Sequence, residues 1–446
     1  MRHSRLKSTA AILAFVILMG ILAACGNGNK ADDNAGDSGS QASNAGASAI
    51  PAPAKKPVEL VLSTFNSWGE SVGLKNALAA YEKATGNKVR LDVYPDDQFI
   101  NILKTKMSTD DAPDLFQANV GDGYVPFTFL EPLSGPWADK MIDSVKQFAA
   151  KDGQVYEAYA TPLGYFGAIY NKKVFEKAGV KVPMMNYAEL TAGMEKIKQT
   201  GATPLFIPGK EGWTYQMLQA VGGVYTFPDE DVEKIVKNEE KPNDVKALVE
   251  FANRMLALKP YVNDNHMTVQ IPDGYQGLLD GKYGMTVLGD WLYADLAKTD
   301  PEKVKDLGMM PITLGDDYIS GVVNLSGRAF GVPSNSKHKE EAKELVNFLM
   351  EPDNFKIMVA PDQGASPYEG YATDQNPFQQ EMKQLTTANQ IPITLDVFRQ
   401  HFPTFNFSDS GKPFRDIFAD KPIDKAFDDW YKDYAQLNRT IKTPGW

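Results

Sequence analysis

The sequence predicts an α/β fold with helices on both faces of its sheets, and three observations carry that prediction. From Val58 onward the hydrophobic period switches repeatedly between two residues and about 3.6. Apolar residues make up 43% and aromatic residues 11% of the 446 positions, an ordinary globular composition that excludes disordered, collagen-like and polytopic membrane chains. At about 150 residues per domain, the length provides for two large lobes.

A strand over Val58 to Ser63, rich in β-branched residues and leucine, opens the pattern. Leu74, Ala77, Leu78 and Tyr81 then recur at helical spacing. Val89, Leu91 and Val93 return to alternation, and Phe99, Leu103 and Met107 mark a helix from Gln98 to Ser108. Ala112 to Gln117 reads as a turn feeding a short strand. After Leu163 come a strand at Ala168 to Tyr170, helices at Lys172 to Ala178 and Tyr187 to Gln199, a strand at Thr203 to Ile207 and a helix at Trp213 to Val221. A long amphipathic helix from Asn243 to Ala257 precedes strands at Tyr283 to Leu288 and Ala329 to Val332. Helices at Lys339 to Met350 and Asp353 to Val359 follow, and from Gln363 the pattern is mostly helical, broken by loops rich in Asp, Asn and Pro.

Ahead of this body, Arg2, Arg5 and Lys7 precede Ala10 to Ala24, a 15-residue uncharged stretch with the pattern of a secretory leader. A spanning helix needs about 20 apolar residues, and no later segment supplies them. Gly26 to Lys56 is built mainly from small and polar residues, with Ile50 its single large apolar side chain, and cannot bury enough surface to fold. It reads as a tether spanning on the order of 30 Å. Lys and Arg number 46 against 57 Asp and Glu, a net charge of −11 that becomes −14 without the leader's three cations. No nucleic-acid partner is expected from that sign.

The single cysteine, Cys25, leaves no intrachain disulfide, Cys-rich zinc site or iron–sulfur centre. His3 lies in the leader, and His266, His338 and His401 stand alone, without a second histidine at a metal-binding interval. Gly277 to Lys282 approaches a phosphate loop but is one residue short, and Tyr283 stands where Ser or Thr is required, so it reads as a helix end and turn. Neither a G-x-S-x-G elbow nor a calcium loop appears. The pairs Asp96/Asp97 and Asp110/Asp111 could serve glycoside hydrolysis, but adjacent acids in turns are ordinarily solvated. No catalytic residue, metal or cofactor is expected.

Two resemblances follow. The leader ends Leu22-Ala23-Ala24-Cys25-Gly26 and resembles the bacterial lipobox, which implies that Cys25 becomes a lipidated first residue held at the outer face of the cytoplasmic membrane by two acyl chains. Leu62 to Trp68, Tyr81 to Gly86, Ala112 to Phe116, Gly164 to Gly179, Gly284 to Trp291 and Phe330 to Lys337, in that order and spacing, resemble the family 1 extracellular solute-binding proteins of sugar-importing ABC transporters. Maltose-binding protein belongs to that family. The resemblance implies a two-lobed, periplasmic-binding-protein-like fold of type II, with ligand held between lobes joined by a hinge. It divides the chain into a leader at 1–24, a lipidated linker at 25–56, an N-terminal lobe at 57–163 plus 328–363, and a C-terminal lobe at 168–324 plus 367–446. Crossings are expected near Pro162 to Gly167, Leu325 to Ala329 and Gln363 to Pro367, with Gly164, Gly167, Gly327 and Gly364 as hinge residues.

A sugar cleft needs flat apolar surfaces for the C–H faces of pyranose rings and polar groups for the hydroxyl edges. Trp68 follows the first strand, Trp213 precedes a helix, and Trp291 follows a strand at the position where the family usually carries an aromatic residue. Core packing is the alternative for each. Trp137, Trp430 and Trp446 are read as structural. Glu70, Asn119, Asp122, Asp290 and Arg328 are the candidate polar partners, and Tyr165 and Tyr368 flank the proposed hinges. The segment from Tyr225 to Asn243 and the tail beyond Gln375 match no assigned motif. The expected protein is a monomeric, lipid-anchored receptor that captures a sugar, an oligosaccharide by preference, and presents it to an ABC permease. The alternatives are a same-fold receptor for a polyamine, metal chelate or anion, and a surface enzyme acting on polysaccharide.

Overall fold

Leu60 and Leu62 are fully buried on one face of β1 (Glu59–Phe65), so the alternation seen in the sequence fixes which side of this strand meets the core. The computed structural model describes residues 56–95, 98–119, 125–222, 229–317, 319–324, 327–395, 407–440 and 445–446; the leader, Cys25, the tether and Asp122 lie outside the described residues. Residues 56–446 are one compact unit and carry every described element.

The further strands are β2 (Lys88–Tyr94), β3 (Leu115–Asn119), the short hairpin β4 (Ala150–Lys151) and β5 (Gln154–Val155), and β6 (Glu157–Tyr159). Then come β7 (Gly164–Asn171), β8 (Thr203–Phe206), β9 (Tyr283–Gly289), β10 (Leu307–Met310), β11 (Gly321–Asn324), β12 (Arg328–Gly331) and β13 (Ile393–Leu395). One sheet runs β2-β1-β3-β12-β6 and the other β13-β11-β7-β9-β8, with β10 also on β7. In the first sheet β1 pairs in parallel with β2 and β3, while β12 pairs antiparallel with β3, Arg328 opposite Asn119, and with β6. In the second, β7 pairs antiparallel with β9, β10 and β11. The chain therefore passes from the first sheet to the second between Tyr159 and Gly164 and returns between Asn324 and Arg328.

Each sheet has its own core. Leu60, Leu62, Ala329, Phe330, Leu345 and Phe355 pack in the first, and Ala168, Ile169, Met285, Phe251 and Phe414 in the second. The helix Val72–Thr85 ends as its sequence demands, at Gly86 in the left-handed conformation with φ 78°, where a glycine carries no Cβ penalty. Gly281, with φ 74° between the helix Tyr275–Leu279 and β9, closes the segment that approached a phosphate loop: it is a helix end and turn.

Several expectations need correction. The helix placed from Asn243 begins at Lys246, because Pro242–Asp244 form a 3-10 turn first. The helix placed from Trp213 begins at Tyr215. β6, β10, β11 and β13 escape the sequence pattern, being three or four residues long and, where buried, buried on both faces. The acidic run at Asp229 opens the helix Asp229–Val236, with Glu230 and Asp231 in its first turn, near the positive N-terminal end, and Val232 and Ile235 buried in the second core. The unassigned tail joins the same core through Phe414, Phe418, Phe427, Trp430 and Tyr434.

Tyr368 belongs neither to a ligand nor to the second lobe. Its hydroxyl donates to the Tyr159 carbonyl at 2.7 Å and its ring packs edge-on against Trp137 and Phe355. With Tyr371 it keeps the chain in the first core beyond residue 367, where the sequence reading changed lobes. Trp137 and Trp430 are buried, and Trp446 packs on Tyr431 and Tyr434.

Candidate functional site

A cleft of about 320 Å³ opens where the strand ends of the two sheets face each other, near the lower end of the usual range for ligand sites. Trp68, Thr161, Pro162, Arg328, Pro361 and Asp362 line it from elements joined to the first sheet. Gly164, Asp290, Trp291, Ala294 and Asn376 line it from elements around the second, with Gln363 between them. Of the residues singled out in the sequence, Trp68, Asp290, Trp291 and Arg328 meet here.

Trp291 follows β9 and is 40% exposed, unusual for the largest apolar side chain. Its ring lies against the Gly289 backbone: a Cβ at position 289 would fall within 1.4 Å of Cζ3, so only glycine admits the ring. Phe166 supports it edge-on, with centroids 5.7 Å apart and planes at 85°. The result is a flat apolar side chain partly open to the cleft.

Asp290, 3% exposed, turns its carboxylate inward. Oδ2 accepts the Tyr165 N–H at 2.7 Å, and the Asp290 N–H donates to the Tyr165 carbonyl at 3.0 Å, which pins the loop after β9 to the start of β7. A Cβ on Gly164 would come within 2.5 Å of Oδ1, so this glycine makes room for the carboxylate. Burial pushes the carboxyl up to about 7, against hydrogen bonds from Gln379 and from the Tyr165 and Trp291 N–H groups that pull it down. Asp290, expected to meet sugar hydroxyls, lines the cleft with its carboxylate hydrogen-bonded to Gln379 and to the Tyr165 and Trp291 N–H groups.

Arg328 opens β12 on the opposite wall, with its side chain 12% exposed. Its backbone N–H and Nε both donate to Thr161 Oγ1, at 2.8 and 3.1 Å, its Nη2 pairs with Asp362, and its guanidinium lies 5.7 Å from the Trp68 ring centroid. Burial brings its pKa down to about 10, so it stays cationic at neutral pH. Trp68 is further braced by Phe65, with ring centroids 4.5 Å apart.

The other candidates do not line this cleft. Glu70 is exposed and pairs with Lys75 at 2.8 Å, because its position at the end of a short helix directs it to solvent. Trp213 is half-buried against the second core, the packing alternative for a tryptophan before a helix. Tyr165 sits beside the cleft with its backbone engaged by Asp290, and its hydroxyl is raised by burial and by that carboxylate. Asn119 pairs with Arg328 through the backbone; its side chain, like Asp122, is outside the described residues.

The proposed hinge glycines have a different rationale. Gly164, Gly167, Gly327 and Gly364 all lack a left-handed φ, and at each a neighbour occupies the Cβ space: the Asp290 carboxylate, the Met310 carbonyl, the Tyr159 hydroxyl and the Leu163 carbonyl. Sequence reasoning missed Thr161, Asp362, Gln363 and Asn376. Asn376 carried a usable signal, since Asn-Pro with a glutamine three residues on is a helix-start signature. Thr161 and Asp362 carried none.

Comparisons with known proteins agree with this architecture. An uncharacterized ABC transporter extracellular-binding protein of Pyrococcus horikoshii is 26% identical over 266 residues, 56% of this chain and 56% of that protein. The match therefore spans little more than half the length of that relative. The multiple sugar-binding protein of Streptococcus mutans is 22% identical over 312 residues, 66% of this chain and 72% of its own. Among solved structures, a Bacillus licheniformis sugar transporter in complex with stachyose superposes with a TM-score of 0.68 at 16% identity, covering 85% of this chain and all of the other. At that identity the likeness establishes the fold: two lobes, as the sequence predicts. Residues 66–354 match the bacterial extracellular solute-binding proteins, and the chain belongs to that family.

Proposed function

We propose that this protein is a sugar receptor that captures a saccharide, an oligosaccharide by preference, in the cleft between its lobes and passes it to an ABC permease without chemical change. The observation that carries the reading is the half-exposed Trp291 ring held against the Gly289 backbone, with the Arg328–Trp68 pair on the other wall. A planar indole face suits the C–H face of a pyranose, and Arg328 and Asp362 suit its hydroxyl edge. The names of the Streptococcus relative and of the stachyose complex support a saccharide over a polyamine, a metal chelate or an anion. The lobes, 57–163 with 328–363 and 168–324 with 367–446, adjusted at Tyr368 and Tyr371, close on the ligand, which shifts the population toward the shape that the permease recognises.

A thermal-shift screen of the chain from Lys56 onward tests this against mono- and oligosaccharides, with polyamines, metal chelates and phosphate as controls. Ligand that binds the native state raises its stability by mass action. The expected result is a saturable rise with one sugar family, the sugar being recovered intact. A rise with a control alone gives a receptor of another specificity, and recovery of cleaved sugar gives an enzyme.

The anchor is the second part of the proposal. Cys25 is lipidated after leader removal, and the tether holds the receptor at the outer face of the cytoplasmic membrane, the mature protein being a monomer. No helix among the described residues is long and apolar enough to cross a membrane. Cys25→Ser is expected to move the exported protein from the membrane pellet to the medium; a variant that still sediments with membranes sinks the anchor.

A further inference from the structure

Asn376 stands at the junction of three things: a helix, the loop carrying Trp291 and the wall of the cleft. It is 4% exposed and lines the cleft, yet its side chain is committed on both sides. Oδ1 accepts the Gln379 N–H at 3.0 Å and Gln379 Oε1 accepts the Asn376 N–H at 2.9 Å, a reciprocal capping box at the start of the helix Pro377–Ala388. Nδ2 points the other way and donates to the Asp290 carbonyl at 3.2 Å. That carbonyl also accepts the Tyr293 N–H at 3.1 Å, so its two lone pairs are taken, one by its own loop and one by Asn376. Gln379, 1% exposed, extends the chain of bonds by donating from Nε2 to the Gln363 carbonyl at 2.7 Å, on the segment that brings Asp362 to Arg328.

We propose that Asn376 is a positioning residue of the cleft: through its amide it locks the Asp290 carbonyl and thereby sets where the Trp291 ring stands on the Gly289 backbone. The physical reason is that the ring is 40% exposed, meets Phe166 in a T-shaped contact and lies in the space that a Cβ on Gly289 would fill, so its position follows closely from the backbone at Asp290. Asp290 is fixed toward β7 by Tyr165 and toward the helix Pro377–Ala388 twice, by Asn376 at its carbonyl and by Gln379 at its carboxylate. Removing the Asn376 amide leaves a buried carbonyl one partner short and loosens the backbone that carries Trp291, while the carboxylate keeps its own partners. Because Gln379 joins the same network to residue 363, movement of the chain between residues 360 and 376 reaches Trp291 through hydrogen bonds.

The consequence for affinity rests on the sugar-receptor reading; the placement of the ring does not, and is tested without any ligand. The chain from Lys56 is labelled with 5-fluorotryptophan, and the Trp291 fluorine resonance is assigned by its loss in Trp291→Phe. Asn376→Asp keeps the capping acceptor and removes the amide donor, while Asn376→Ser keeps a capping hydroxyl too short to reach Asp290 and adds no charge. Asn376→Ala loses both functions. The expected result is that the Trp291 resonance shifts and broadens in all three, the other tryptophan resonances stay in place, and only Asn376→Ala shows the full fall in melting temperature of a lost cap. A Trp291 resonance unmoved in Asn376→Asp and Asn376→Ser, or one displaced only in proportion to the melting temperature, overturns the proposal. Should Asn376→Asp fail to fold, Asn376→Ser decides alone. Failure here leaves the sugar screen standing, and failure of the screen leaves the lock standing.

Discussion

Trp291→Ala is expected to weaken sugar binding by thirty-fold or more, roughly 2 kcal/mol, while lowering the stability of the unliganded protein by about 1 kcal/mol or less. The two effects separate because the ring is 40% exposed and rests on a glycine, so few neighbours lose contacts when it goes. A bound pyranose, by contrast, loses the flat surface against which its C–H face is desolvated. Titration calorimetry with the sugar found by the thermal screen, beside urea denaturation of the free protein, measures both. A loss of 3 kcal/mol or more in the free protein, the scale of a buried aromatic, would make Trp291 a core residue and remove the central support for a sugar platform.

The second large effect is a pH dependence held by one carboxyl. Burial raises Asp290 from 3.8 to about 7 in the folded protein, so the folded state binds this proton more tightly than the unfolded chain. The stability it contributes is therefore fully present below about pH 4 and is lost as pH rises through 7. Three units at 1.36 kcal/mol each set an upper bound of roughly 4 kcal/mol. Asp290→Asn keeps an acceptor for the Tyr165 N–H but cannot ionise. Urea midpoints between pH 4 and 8 are expected to fall more steeply for the native sequence than for the variant, the other titrating groups cancelling in the difference. Parallel curves would mean that Asp290 ionises without penalty and that its carboxylate is well solvated or paired. The same variant at pH 8 is expected to be more stable than the native protein, an unusual outcome for a change in a binding cleft. It follows from the cost of burying a carboxylate, which the surrounding hydrogen bonds offset only in part.

Local pattern reached far into this structure. The helices Lys172–Ala178 and Tyr187–Gln199 lie where their periodicity puts them, since each has a capping asparagine directly ahead, Asn171 and Asn186, and an amphipathic face. The strands with clear alternation or long apolar runs, β1, β2 and β9, were equally legible. Short strands were not: β6 and β10 gain their partners from β12 and β7, far away in the chain, and carry no period of their own. In the cleft, Trp68 and Trp291 were legible because an aromatic after a strand has few explanations. Glu70 and Trp213 satisfied the same local rules and went elsewhere, one to an ion pair with Lys75 and the other to the second core.

The α/β class, the alternation that sorts helices from strands, and the tryptophan that follows β9 are all legible along the chain. These are properties of neighbouring residues, whose side chains choose a face or a cap before any distant contact forms. The pairing of Arg328 with Asp362, the inward turn of Asp290, and the tie from the Asn376 helix cap to the loop after β9 arise from packing. The partners in these contacts are between 34 and 125 positions apart in the sequence. What a charged or amide side chain does depends on which groups burial leaves within reach of it, and that is fixed when the two sheets pack, not along the chain.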